Sequence, residues 1–201
     1  WKKYALSLVL TNAVMVFIGY LILRIQEIPF LNPNHIGAME QSLSFNTVIS
    51  FITNTNLQNY SGESALSYMS QMIVITFMMF TSAASGFAAS MAFIRGLSGK
   101  YKDMGNFYYD FVRVITRVLL PFSIIGALLL ISQGVPQTLV HNLTITTLEG
   151  KMQDIALGPV AALEIIKHLG TNGGGFFAAN SAMPFENPNI ITNIIEMLSM
   201  M

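Results

Sequence analysis

Twenty residues from Tyr4 to Leu23 pass without a charged side chain. At about 1.5 Å of rise per residue, such a run covers the roughly 30 Å of hydrocarbon in a bilayer and predicts a membrane-spanning helix over 4–26. A second uncharged stretch, thirty-one residues from Ser64 to Ile94, has to tilt, kink or extend into the interface if it forms one helix over 64–95. It contains Ser82-Ala83-Ala84-Ser85-Gly86 and Ala88-Ala89-Ser90, small residues that let helix backbones approach closely in lipid. A third span is predicted over 107–133, with Pro121 near one end of its apolar part, and the start of a fourth over 189–201. Only 10% of the residues are charged, against roughly 25% in soluble domains, so the fold class is an all-α membrane protein in a lipid bilayer.

The remaining composition excludes several functions. Formal net charge is zero, which leaves no basic footprint for nucleic acid. Without cysteine the chain has no disulfide, thiolate metal site or cysteine nucleophile. His35, His141 and His168 lack metal-ligand spacing, so no transition-metal site is expected. The thirteen methionines read as apolar packing or lipid-facing residues. The first apolar run is too long for a signal peptide and no small-residue cleavage site follows it. Lys2, Lys3, Arg95, Lys100, Lys102, Arg113 and Arg117, seven of the ten basic residues, fall where the first span starts and the second ends. That side is cytoplasmic by the positive-inside rule, and the loops after spans one and three then face outward.

Those two loops carry the polar tracts Thr53-Asn54-Thr55-Asn56-Leu57-Gln58 and Gly170-Thr171-Asn172-Gly173-Gly174-Gly175. Irregular backbone at membrane depth is tolerated only where protein buries it or it lines a water-filled path. Each tract follows a segment too short to span, 41–52 and 159–169, which suits a re-entrant half-helix. Pro159 fits a first helical turn, where a missing N–H costs nothing. Shifted by 116 residues, Thr55-Asn56 falls on Thr171-Asn172, Gln58 on Gly174 and Tyr60 on Phe176. The order span, half-helix, tract, span thus occurs twice, as a parallel duplication with a first repeat over 1–100 and a second over 101–201.

A dehydrated monovalent cation needs several oxygen ligands together, and glycine-containing extended backbone can supply successive carbonyls. Thr55, Asn56, Thr171, Asn172, Gly173 and Gly174 offer carbonyls, while Asn54, Gln58 and the threonines add side-chain oxygens. Glycine is expected to contribute backbone angles closed to other residues, and a half-helix C-terminus adds negative potential. Ordinary extracellular turns are the competing reading, since Asn, Gly and Thr are standard turn residues. A phosphate cradle is excluded because no Gly-Lys-Ser/Thr follows the glycines. Glu63, Glu186, Lys167 and His168 lie close enough to shape the potential outside the tracts, or are solvated or paired interfacial groups. Asn32-Pro33-Asn34 and Asn187-Pro188-Asn189 do not coincide under the 116-residue shift and read as helix punctuation.

Phe45-Asn46-Thr47, the run from Ser50 to Glu63, Ser82 to Gly86, Gly158-Pro159-Val160-Ala161, Gly170 to Phe177 and Pro184-Phe185-Glu186-Asn187-Pro188 together resemble the A subunits of bacterial Kdp potassium-transporting ATPases. The resemblance covers essentially the whole chain as the N-terminal part of that family, within a superfamily of potassium transporters. It implies a channel-like fold, two of an expected four repeats around one selectivity filter. Filter segments would run over 53–58 and 170–175, with Gln58 as the filter-lining glutamine and the filter glycine within Gly173-Gly174-Gly175. It further implies extracellular potassium as the bound and transported ion, no organic cofactor, and a multi-pass location in the bacterial inner membrane. The implied partners are a P-type ATPase catalytic subunit and small membrane subunits. No Asp-Lys-Thr-Gly-Thr motif occurs, in keeping with a subunit that does not hydrolyse ATP. Two filter quarters cannot enclose an ion, so the expectation is a segment of a longer subunit, or else two associated copies. A passive channel or symporter of the same superfamily is the alternative, and a membrane scaffold a third reading.

Overall fold

Three long helices carry the apolar sequence, α1 (Lys2–Arg24), α3 (Ser70–Ser98) and α4 (Phe107–Ser132). The fold, a computed structural model, is described for residues 1–28, 30–99 and 103–201; Lys100 and Lys102 of the basic cluster lie outside the described residues. Between the long helices sit two short ones, α2 (Gln41–Ile52) and α5 (Val160–Leu169), and the chain finishes with α6 (Ile190–Ser199). This is the all-α membrane architecture that the uncharged runs predict.

Element boundaries follow local chemistry. The Glu40 carboxylate caps α2 by accepting from the Leu43 amide at 2.9 Å and the Ser42 hydroxyl at 2.5 Å. The Ser42 hydroxyl, then the adjacent backbone amides, hold the Glu40 pKa down at about 2. The 64–95 stretch is not one helix. A separate turn, Gly62–Ala65, ends in extended backbone at Leu66, and α3 opens with a widened segment, Ser70–Thr76. A second widened segment, Ile115–Leu119, precedes Pro121 in α4, where the proline ring displaces the regular ladder. Helix α5 begins at Val160, with Pro159 just outside it as the cap residue. Asn189 and Thr192 form a capping box on α6, so Asn187-Pro188-Asn189 does punctuate a helix. Asn32 does not: its side chain braces a loop through Gln26 and Ile36.

One hairpin lies outside the helical pattern. Leu143–Thr146 pairs antiparallel with Met152–Ile155 through a turn containing Gly150 at φ +76°. Its strands are exposed, so no apolar alternation marked them in the sequence.

Helix α3 is central and packs on α1, α2, α4 and α5. Half of its apolar window is buried, against 11% for α1, which leaves most of α1 for lipid. Close approach is made by small residues. A Cβ on Gly19 would lie 2.5 Å from the Met78 Cε and 3.1 Å from Val48, and one on Gly126 would lie 2.4 Å from Ile165. Ala84 and Ala88 are fully buried on the inner face of α3, whereas Gly86 faces open space. At one end the Arg95 guanidinium grips Asp110 through bonds of 2.5 and 2.8 Å, and the Tyr4 hydroxyl donates to Asp110 at 3.0 Å. At the other, the buried Gln26 amide bonds Gly37, Ala65 and Ser67.

Candidate functional site

The two polar tracts lie side by side, each immediately after the C-terminus of a short helix. At the end of α2 the Ser50 carbonyl accepts from both Thr55 and Asn56 amides at 3.0 Å. Asn54 (φ +59°) and Asn56 (φ +57°) take left-handed angles there, which asparagine tolerates better than most side chains. At the end of α5 the Ile166 carbonyl accepts from Gly170 and the Lys167 carbonyl from Asn172, both at 2.8 Å. Here the left-handed residue is Thr171 (φ +53°), and Gly170 has φ −86°.

The glycines therefore serve a different end from the one their backbone freedom suggested. None of Gly170, Gly173, Gly174 and Gly175 has a left-handed φ. Their value is close approach: a Cβ on Gly174 would lie 2.7 Å from the Phe51 ring and 3.2 Å from the Asn56 carbonyl oxygen, and one on Gly175 2.9 Å from the Asn180 Oδ1. Gly173 has ordinary contact room, 3.4 Å to the Thr55 oxygen.

Side chains stitch the tracts together. Gln58 and Gly175 exchange two bonds, Oε1 accepting from the Gly175 amide at 2.9 Å and Nε2 donating to its carbonyl at 3.2 Å. The Asn54 Nδ2 donates to the Gly170 and Thr171 carbonyls at 3.3 and 3.4 Å. From α3, the Ser82 hydroxyl lies 3.0 Å from the Asn54 Oδ1 and 3.3 Å from the Asn172 Oδ1, a cross-link the sequence did not announce. A cavity of about 400 Å³ adjoins the helix-end side of both loops, lined by Asn54, Ser82, Ser90, Gly170 and Thr171 among others.

The free oxygens are unevenly distributed. Among the described residues the carbonyls of Thr55, Asn56, Asn172 and Gly174 accept no hydrogen bond, whereas Thr171 and Gly173 accept from Asn54 and Asn180. The buried Asn56 side chain also leaves both amide atoms without a partner among the described residues. Such unengaged oxygens are neutral ligands of the kind a dehydrated monovalent cation takes up.

Behind the second tract is a buried charged cluster. The Lys167 Nζ lies 2.6 Å from the Glu164 Oε2, and the His168 Nε2 lies 3.1 Å from the Glu164 Oε1 and 3.5 Å from the Glu196 Oε2. Of the two readings, solvated or paired, Lys167 and His168 are paired, while Glu186 is buried and held by backbone amides. Glu186 accepts from the Phe176 and Phe177 amides at 3.0 and 3.3 Å, and Glu63 from the Ala178 amide at 2.9 Å. Burial, then the charge of Glu164, pushes the Glu186 pKa up to about 7. Histidine spacing alone missed the Glu164-His168-Glu196 group, whose ligand atoms lie within 4.8 Å of one another. The signal was Glu164 four residues before His168 on one helix face. The ammonium of Lys167 already supplies the neutralising charge there.

A family model described as the potassium-transporting ATPase A subunit matches residues 1–201. A "potassium-transporting ATPase potassium-binding subunit" of Clostridium acetobutylicum is 61% identical over 201 residues, covering all of this chain and 36% of that protein. Proteins with the same description from Caldanaerobacter subterraneus subsp. tengcongensis and Geobacillus kaustophilus are 60% and 59% identical, again over the whole chain and 36% of their own length. The chain thus spans about a third of the length of the curated relatives it matches. With the match running from end to end and the paired tracts falling inside it, the chain belongs to the potassium-transporting ATPase A subunit family.

Proposed function

We propose that this chain supplies two adjacent quarters of a potassium filter in the ion-binding subunit of an ATP-driven potassium uptake pump. The observation that carries the reading is the pair of loops, laid side by side at the C-termini of α2 and α5, with unengaged carbonyls on Thr55, Asn56, Asn172 and Gly174. Two helix ends aimed at the loops contribute partial negative potential, which favours a cation over an anion. Neutral oxygens on a rigid backbone discriminate by the fit and number of ligands rather than by net charge. Asn54, Thr55, Asn56, Gln58, Thr171, Asn172, Gly173 and Gly174 form the filter region in this reading, and the Gln58–Gly175 pair holds the two loops in register.

Residues 1–100 and 101–201 are then two parallel repeats, with the loops facing outside and the arginine-rich end facing the cytoplasm of a bacterial cell. Relatives named as potassium-binding subunits support potassium as the transported substrate. The chain itself binds and passes the ion without hydrolysing ATP. A P-type catalytic subunit, with small membrane subunits, does the energetic work, and no organic cofactor takes part.

The test is Gly174→Val in the full-length subunit within its complex. The added side chain meets the Phe51 ring and the Asn56 carbonyl, so the two loops separate. Potassium uptake at low external potassium is expected to fall at least about tenfold, as when one ligand interaction worth about 1.4 kcal/mol is lost. Unchanged uptake would falsify the loop assignment. Potassium-stimulated ATP hydrolysis by the purified complex separates a pump from a passive channel or symporter, which would move the ion without it.

A further inference from the structure

Glu164, Lys167 and His168 line the second short helix with buried charge, at 0%, 2% and 8% exposure. The corresponding positions of the first short helix, 116 residues earlier, are Val48, Phe51 and Ile52, at 0%, 0% and 8%. Helix packing in this place is thus achieved once without any buried charge. Charged groups cost several kcal/mol to bury, on the order of what a small domain has in total stability, so their presence behind one loop calls for a use other than packing.

The hydrogen bonds show where the charge is spent. The Lys167 ammonium donates to the Asn180 Oδ1 at 2.7 Å and the Ser181 hydroxyl at 2.6 Å, besides pairing with Glu164. Two of its three N–H groups are thus hydrogen-bonded, and Glu164 balances its charge. Only an oxygen can face an ammonium, so the Asn180 amide is locked with its NH2 turned the other way, and the Asn180 Nδ2 donates to the Gly173 carbonyl at 2.8 Å. Asn180 itself sits at φ +56°, with its Oδ1 in the space that a Cβ on Gly175 would occupy.

We propose that Asn180, oriented by the Glu164–Lys167 ion pair, is a positioning residue that fixes the Gly173 carbonyl and so sets the ion preference of the second loop. The inference rests on the filter reading above. Asn180 holds the carbonyl by a donor that cannot rotate without confronting Lys167 with an NH2 group. An ion that needs shorter oxygen distances than potassium must then pull against this bond.

The experiment uses the complete complex with the full-length subunit. Asn180→Asp keeps shape and tolerance for the left-handed backbone, but places a carboxylate oxygen against the Gly173 carbonyl oxygen. Asn180→Gly keeps the backbone and deletes the amide. The half-saturating potassium concentration for ATP hydrolysis is expected to rise about tenfold in both, the effect of one lost hydrogen bond, with the maximal rate within about twofold. Discrimination of potassium against sodium should fall in parallel. Lys167→Met, which releases the amide, should shift the same two quantities, while Lys167→Arg should restore them in part. A lower unfolding temperature with unchanged half-saturation and ion preference in Asn180→Gly would overturn the inference. Gly174→Val separates the two failures: if it moves potassium dependence and the Asn180 variants do not, only the positioning role fails. If none of them moves it, the filter reading fails as well.

Discussion

At residue scale the second loop is held in part by groups outside the proposed filter, Asn180 on the Gly173 carbonyl and Glu186 on the Phe176 and Phe177 amides. Gly174 and Gly175 are glycine because neighbouring atoms occupy the Cβ positions, and no left-handed angle is involved. Residue type marked the tract as able to offer carbonyls; the reason for each glycine lay in the Phe51 ring and the Asn180 amide, which sequence spacing does not bring near. Glu186 shows the same dependence on surroundings. Its folded pKa of about 7 exceeds the ordinary 4.5 because it is buried and faces Glu164, with Lys167 partly offsetting that repulsion. Folding therefore takes up a proton between pH 4.5 and 7; the stability of the protonated group is fully present below 4.5 and is lost as pH rises through 7. Glu186→Gln, which mimics the protonated acid and can still accept from Phe176 and Phe177, removes that slope. Thermal unfolding of the assembled complex should show the variant gaining on the parent across this window, to a plateau on the order of 1–3 kcal/mol. A pH-independent difference would contradict the assignment.

At the scale of elements, the short helices aim their ends at one place because the long helices crowd them there. Helix α5 is pressed against α4 at Gly126, where a side chain would collide with Ile165. Gly126→Leu should lower the unfolding temperature of the purified complex, with a destabilisation of about 1–3 kcal/mol typical of overpacking, and Gly126→Ala should cost less. Equal stability of Gly126→Leu and the parent would mean that α4 and α5 separate at no cost. Length made α1, α2 and α4 legible: the twenty uncharged residues of α1 and the long apolar run of α4 have few folded alternatives, and α2 is too short to span. The break at Leu66, the widened turns at Ser70–Thr76 and Ile115–Leu119, and the exposed hairpin were not legible, since none changes the apolar pattern.

On the scale of the whole molecule, the chain corresponds to about a third of the length of the relatives named above and holds the two loops of the proposed filter. Full coordination of a dehydrated cation requires oxygens from around the ion, so residues 1–201 by themselves should show no potassium-dependent rise in unfolding temperature, whereas the full-length subunit should. A potassium shift in the isolated segment would indicate that two loops suffice or that copies associate. What the sequence determined by itself was the solvent and the parts: lipid from the uncharged runs, short helices from their length, and oxygen-rich tracts from Thr, Asn and Gly. The 116-residue shift even paired the loops, and the Asn54–Gly170 bond spans that same separation. Tertiary structure alone decided which oxygens stay unengaged and which charges are buried, because both depend on atoms far apart in the chain meeting at distances near 3 Å. Periodicity reports which face of a helix avoids water; it carries no information about which partner waits on that face.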